Sequence, residues 1–244
     1  MHSQSPPNPD SQTARSASGT PQRDGSTKPP RSLWDGIYAF PPNRKTLGGT
    51  AYLVCEPQGN ILIDCPAWDE TAAQFLRACG GVRWLFLTHR GGISQASEMQ
   101  SALGCEIVVH EREAYLLPDA TVTPFWAHCE LTASCQAIWT PGHSPGSSCL
   151  YCRRQGGILF SGRHLLPDRA GKPVPLRMGK TFHWFRQLRS VQALRDRFSA
   201  QTLHYICPGA GTGFLRGQGA IVNAYAHLAA LELDALRQEP PVLQ

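Results

Sequence analysis

Two short segments constrain this chain more than any others. Leu85-Phe86-Leu87-Thr88-His89-Arg90-Gly91-Gly92-Ile93-Ser94 runs from a compact apolar stretch into a histidine followed by two glycines. Thr140-Pro141-Gly142-His143-Ser144-Pro145-Gly146-Ser147-Ser148 sets a second histidine among turn-forming residues. A histidine just past a buried strand is the arrangement by which strand-end loops present a metal ligand or a binding group, while the strand itself stays in the core.

The rest of the chain is compatible with that. Its 244 residues suffice for one large domain, or a domain with a tail. With 41% apolar and 17% charged residues it has the composition of a soluble globular protein. No apolar run approaches the roughly 18 residues that mark a membrane span. Residues 1–32 are rich in Ser, Pro, Gln and Thr and lack the apolar stretch of a secretory signal, which predicts a disordered N-terminal tail before a domain over 33–244. The corresponding location is cytoplasmic; an organelle stroma is the alternative if the tail is a transit peptide. Asp10, Asp24 and the prolines speak against a transit peptide.

Nine cysteines are scattered through the chain, several inside apolar strands, among them Cys55, Cys65, Cys105 and Cys207. Without a secretory context they read as buried thiols. Cys149 and Cys152 form a C-x-x-C, but on a strand their side chains point to opposite faces, which argues against a working pair.

Periodicity predicts a hairpin from 50–55 and 60–64, a helix over 68–79 stopped by Gly80-Gly81, and a buried strand over 82–87 ending at His89. A helix over 93–103, a strand over 105–109 and a short helix over 111–117 follow. Strands are expected near 137–140, 148–152, 157–161 and 203–207, with helices over 182–198 and 217–236. Alternating strands and helices imply a layered α/β fold.

Several motifs appear in an order that resembles the metallo-β-lactamase fold superfamily. They are Asn60-Ile61-Leu62-Ile63-Asp64, the His89 loop, His110-Glu111, Pro141-Gly142-His143-Ser144-Pro145-Gly146, Leu159-Phe160-Ser161-Gly162 and Cys207-Pro208-Gly209-Ala210-Gly211. The resemblance covers most of the chain from Leu33 onward. It implies a four-layer αββα sandwich with Asp64 as a structural acid at a strand end.

The resemblance also exposes what is missing. The family's first metal loop reads T-H-x-H-x-D-H, dense in ligands because two imidazoles, an Asp and a further His seat one or two cations that turn bound water into hydroxide. Here only His89 matches; Gly91, Ile93 and Ser94 stand at the other positions. His143 matches the next ligand, but Arg163 replaces the bridging Asp and Ala210 the final His. His89 and His143 are thus the vestigial metal positions, too few to hold zinc well. A guanidinium about 4 Å from a charge at an effective dielectric near 20 interacts with roughly 4 kcal/mol, so Arg163 repels a divalent ion.

The resulting expectation is a degenerate member of the superfamily without catalytic residues or cofactor. It binds an anion through Arg163, His164, Asp64, His89, His143 and Lys180, with Arg163 donating to Asp64 or to the anion. Two alternatives stand beside it. One is a hydrolase of thioesters or phosphodiesters using zinc or iron, weakly bound or at a site rebuilt with His183, His204 and a cysteine. The other is a structural or assembly protein. His110 reads as structural, and neither Ser94 nor Ser144 has a nucleophile motif around it.

Between Arg153 and Arg197 eleven Lys and Arg residues face only Asp168 and Asp196, while the whole chain carries +5. Such a segment suits an anionic small molecule, an acidic protein surface or nucleic acid, or else it is a solvated helix face. The Pro-rich loop 167–180 is expected to lie over the altered site. Membrane association is not expected, and the sequence leaves oligomeric state open.

Overall fold

A computed structural model describes residues 1–2 and 28–241. The expected tail over 1–32 falls largely outside the described residues.

The first sheet has seven strands in chain order: β1 (Arg31–Trp34), β2 (Ile37–Ala39), β3 (Tyr52–Val54), β4 (Ile61–Ile63), β5 (Trp84–Phe86), β6 (Glu106–His110) and β7 (Val122–Phe125). It begins as an antiparallel meander and turns parallel from β4 onward. The change in direction follows from the connections. Short turns join β1 to β2 and β3 to β4, and a longer loop with a 3-10 turn (Arg44–Thr46) joins β2 to β3, whereas α1 (Glu70–Ala78) lies between β4 and β5, and α2 (Ala96–Leu103) between β5 and β6. A short helix, α3 (Glu111–Ala114), precedes β7.

The second sheet comprises β8 (His128–Glu130), β9 (Cys135–Trp139), β10 (Ser148–Cys152), β11 (Ile158–Gly162) and β14 (Tyr205–Pro208). Its order is β14-β11-β10-β9-β8. A small antiparallel pair, β12 (Leu166–Pro167) and β13 (Pro173–Val174), leads to α4 (Trp184–Arg197). Helices α5 (Ala224–Ala229) and α6 (Leu233–Arg237) close the chain.

Period-two alternation sorts the strand side chains into three apolar layers. Ile61, Ile63, Phe86 and Val108 of the first sheet meet Ala137, Leu150, Ile158 and Phe160 of the second between the sheets. Their neighbours Leu62, Leu85, Ile107 and Val109 face the other way, onto Leu76 of α1 and Met99 of α2. Ile138, Cys149, Leu159 and Ile206 pack under Val191 and Leu194 of α4 and Leu228 of α5. Three interfaces between four layers make the αββα sandwich. Cys149 and Cys152 do point to opposite faces, one into the helix-covered layer and one between the sheets.

The sequence reading needs one correction in the C-terminal part. In place of one helix over 217–236, Ile221 pairs with Ile206 through two backbone bonds of 2.8 and 3.0 Å. Asn223 takes a left-handed conformation, and two short helices follow. Ala224 and Leu228 do face the core, so the apolar spacing was real, but sheet pairing claimed the residues before them. Strands β1, β2, β7, β8, β12 and β13 were not read from the sequence. The helix expected from Ile93 starts at Ala96, because Ser94 has a φ of 34°.

Candidate functional site

Strands β4, β5, β9, β11 and β14 all end at one rim of the sandwich. Asp64 follows β4 directly, with φ 57°, a backbone conformation that Asp tolerates better than most residues. Thr88 and His89 follow β5. The Ser148 N–H donates to the Thr88 carbonyl at 2.8 Å, and the Thr50 N–H to the Gly209 carbonyl at 2.9 Å, so the loops are fastened across the two sheets.

A three-member hydrogen-bond chain runs along this rim. Asp64 accepts from the Thr88 N–H at 2.8 Å and from its hydroxyl at 2.7 Å. The hydroxyl has then given its only proton, so the 2.9 Å contact with His89 Nδ1 has the imidazole donating. That fixes His89 as the Nδ1–H tautomer and leaves Nε2 with a lone pair. Burial raises the Asp64 carboxyl to about 6 even though both Thr88 bonds and the Arg163 charge work against it.

The His89 and His143 rings meet edge to face, with centroids 5.3 Å apart. Burial holds both imidazoles below their usual range, His143 at about 4, with the Arg163 and Arg90 charges adding to the effect. Both rings are neutral at pH 7. Five buried atoms here have no hydrogen-bond partner among the described residues: His89 Nε2, His143 Nδ1, both nitrogens of His164 and Gln187 Oε1. Glu113, facing the Ser144 hydroxyl, accepts from the Gly146 N–H at 3.1 Å.

In front of the histidines lies a cleft of about 460 Å³, lined by Thr46, Leu47, His89, Arg90, Gly91, His143, Arg163, Met178 and Lys180. Its charged residues are three cations, with no carboxylate among them. Arg163 Nη2 donates to the carbonyls of Thr46 and Leu47, both at 3.0 Å. Leu47 is 75% exposed with φ 54°, an unfavourable conformation for a bulky residue, held here by the surrounding turn and the guanidinium.

The expected site residues divide accordingly. His89, His143, Arg163 and Lys180 line the cleft. Asp64 and His164 do not. Asp64 is committed to Thr88, and Arg163 reaches the Thr46–Leu47 turn instead of Asp64, though its charge is felt there. His164 is fully buried, held at about 3 by desolvation, and its carbonyl accepts from Gln187 Nε2 at 3.0 Å. His183 caps α4 and His204 packs against Gly156, so neither rebuilds the site. His110 stacks on Trp139 at 4.7 Å and caps α3. From the loop 167–180, Met178 and Lys180 reach the cleft.

Part of the basic segment is engaged within the protein, while Arg186, Arg189 and Arg197 line one surface groove along α4. Arg154 pairs with Glu56, Arg177 donates to the Glu239 carbonyl, Arg195 to the Ala229 and Leu231 carbonyls, and Arg197 to Gln136. Sequence reasoning passed over Thr88 and the carbonyls of Thr46 and Leu47. The Thr-His dipeptide was in view, but the bond linking it to Asp64 becomes visible only in three dimensions.

The residues at this rim do not fit the metal centre that the fold usually carries. A Cβ on Gly91 would stand 2.9 Å from His89 Nε2, and one on Gly92 would stand 2.5 Å from Asp64 Oδ1. The Arg90–Gly92 loop therefore lies directly on the free nitrogen of His89, the one that would face an ion, and on Asp64 behind it. Three cations complete the surroundings and would repel a divalent ion beside the two histidines.

No family model matches the chain, and no curated protein matches it. Solved structures do. VMB-1 superposes with a TM-score of 0.64 at 16% identity, over 86% of this chain and 99% of its own. A metallo-β-lactamase family protein from Thermus thermophilus gives 0.60 at 19%, over 85% and 81%. A third structure, determined in a di-iron-bound form, gives 0.57 at 22%, over 74% and 98%.

Proposed function

From the metallo-β-lactamase fold of this chain, and from the charges that stand where that fold usually seats metal, we propose that the protein is a non-hydrolytic binder of a small amphipathic anion. The observation that carries this reading is the lining of the cleft, where Arg90, Arg163 and Lys180 face a common space without an opposing carboxylate. Guanidinium and ammonium groups converging in a partly desolvated cleft favour phosphate or carboxylate through charge-assisted hydrogen bonds. Leu47 and Met178 supply an apolar wall, so the ligand carries an apolar arm beside its anionic head. The two imidazoles, neutral at pH 7, add no positive charge; they shape the floor.

Arg163 has the leading role. Two carbonyls hold one terminal nitrogen of its guanidinium, which orients the fork without neutralising it. Calorimetric titration with inorganic phosphate and with hexyl phosphate tests the reading. Hexyl phosphate is expected to bind more tightly than phosphate, and Arg163→Gln to weaken both at least tenfold, about 1.4 kcal/mol. Absence of binding by either probe to the wild type, or unchanged affinity in Arg163→Gln, overturns it.

A further inference from the structure

The opposite rim of the sandwich holds a second cluster, unrelated to the histidines. Cys135 opens β9 and Cys152 closes β10, and the two are direct cross-strand partners. The Arg153 N–H donates to the Ser134 carbonyl at 2.8 Å, one residue beyond the pair on each strand. This places Cys135 and Cys152 at a non-hydrogen-bonded position of the ladder, where opposed side chains approach most closely. Both thiols are fully buried between the sheets. Glu56, just past β3 of the other sheet, brings its carboxylate to them; its side chain is only 7% exposed. One oxygen of Glu56 and the two sulfurs lie within 4.8 Å of one another.

We propose that Glu56, Cys135 and Cys152 form a binding site for a thiophilic divalent cation, zinc in the first instance. Tetrahedral zinc with sulfur ligands at about 2.3 Å holds two sulfurs about 3.8 Å apart, so a small side-chain adjustment closes the site. Charge also balances. Two thiolates and a carboxylate contribute −3, the ion +2, and Arg154, 3.6 Å from Glu56, a further +1. Arg154 is fixed independently by the Cys55 carbonyl at 2.9 Å and the Asp35 carbonyl, so it remains in place when the ion enters. The two thiols already share a hydrogen bond, which lowers Cys152 at the expense of Cys135. A neighbouring cleft lined by Thr132 and Arg153 lies beside the cluster without reaching the thiols, so entry of the ion requires local side-chain movement. The ion clips the first sheet to the second at the rim farthest from the histidines.

The test uses reduced full-length protein with one equivalent of Co²⁺ and then Zn²⁺. The expected result is thiolate-to-cobalt charge-transfer absorption that survives replacement of both His89 and His143, disappears in Cys152→Ser, and needs at least tenfold more metal in Glu56→Gln. X-ray absorption of the wild-type zinc form should show two sulfur ligands, a reading that does not depend on how any variant folds. Absence of thiolate absorption, a spectrum lost with the histidines, zinc without sulfur ligands, or a wild type that instead closes a Cys135–Cys152 disulfide under reducing conditions overturns the proposal.

Discussion

The two rims of this sandwich handle buried polar chemistry in opposite ways. At the histidine rim, five buried nitrogen and oxygen atoms have no protein partner among the described residues, and the charges lining the cleft are all positive. At the cysteine rim, Glu56 is paired with Arg154 and accepts from Ser134, and the soft ligands face one another across a ladder. The fold usually places its metal at the first rim. In this chain the donor set that suits a metal lies at the second. A scaffold thus constrains where loops converge, while a few side chains decide what those loops can hold.

The comparison breaks most visibly with pH. His143 and His164 sit at about 4 and about 3 in the folded protein, against 6.5 unfolded. As pH falls from 6.5 to 4, the unfolded chain takes up protons that the folded protein refuses, so stability is present above 6.5 and lost on acidification. Asp64 acts in the other direction. Its folded carboxyl at about 6, against 3.8, favours the folded state on the acid side and offsets part of one histidine. The net loss from these groups is on the order of 5 kcal/mol between pH 6.5 and 4. Urea unfolding at several pH values measures it, and a flat profile contradicts neutral buried histidines.

Next comes Thr88→Val, which keeps shape but removes one donor to Asp64 and the acceptor for His89. It should cost about 3 kcal/mol, since each buried group left unpaired costs roughly 1–3. Ser134→Ala at the other rim removes one donor to Glu56, which keeps Arg154 and the Thr132 hydroxyl, and should cost about 1 kcal/mol. Equal losses at the two rims contradict the contrast drawn between them.

A smaller effect is expected at Gly92. An added methyl meets Asp64 Oδ1 at 2.5 Å, so Gly92→Ala must displace the loop or the acid, at about 2 kcal/mol by thermal unfolding. Gly48→Ala meets nothing within 4 Å but has a φ of 76°, so its cost, about 1 kcal/mol, is purely conformational. A Gly92→Ala protein as stable as the wild type would mean that the loop does not rest on Asp64.

Much of the fold was legible because its strands are short, apolar and alternating. Leu62, Leu85 and Ile107 against Ile61, Ile63 and Phe86 already describe two faces. The motif order supplied the architecture. Strands such as Val122–Phe125 and His128–Glu130 were not legible, since each has exposed residues and takes its strand character from a neighbour. Asp35-Gly36 is a hairpin signal that would have identified β1 and β2. At the candidate site, the histidines and Arg163 could be read from sequence. The partner of Arg163 could not, because a backbone carbonyl leaves no trace in residue identity. Nor could the Cys135–Cys152 pairing, which depends on register, whereas the conspicuous Cys149–Cys152 spacing is divided between two layers.

The most direct measurement is the metal content of the Cys152→Ser protein, purified without an affinity tag or chelator. This variant leaves the histidine rim intact and removes the soft ligand at the other. Metal far below one equivalent is the predicted result. Zinc, iron or manganese near one equivalent, lost again when His89 or His143 is replaced, would contradict the account and return the chain to the metal-dependent hydrolases of its fold.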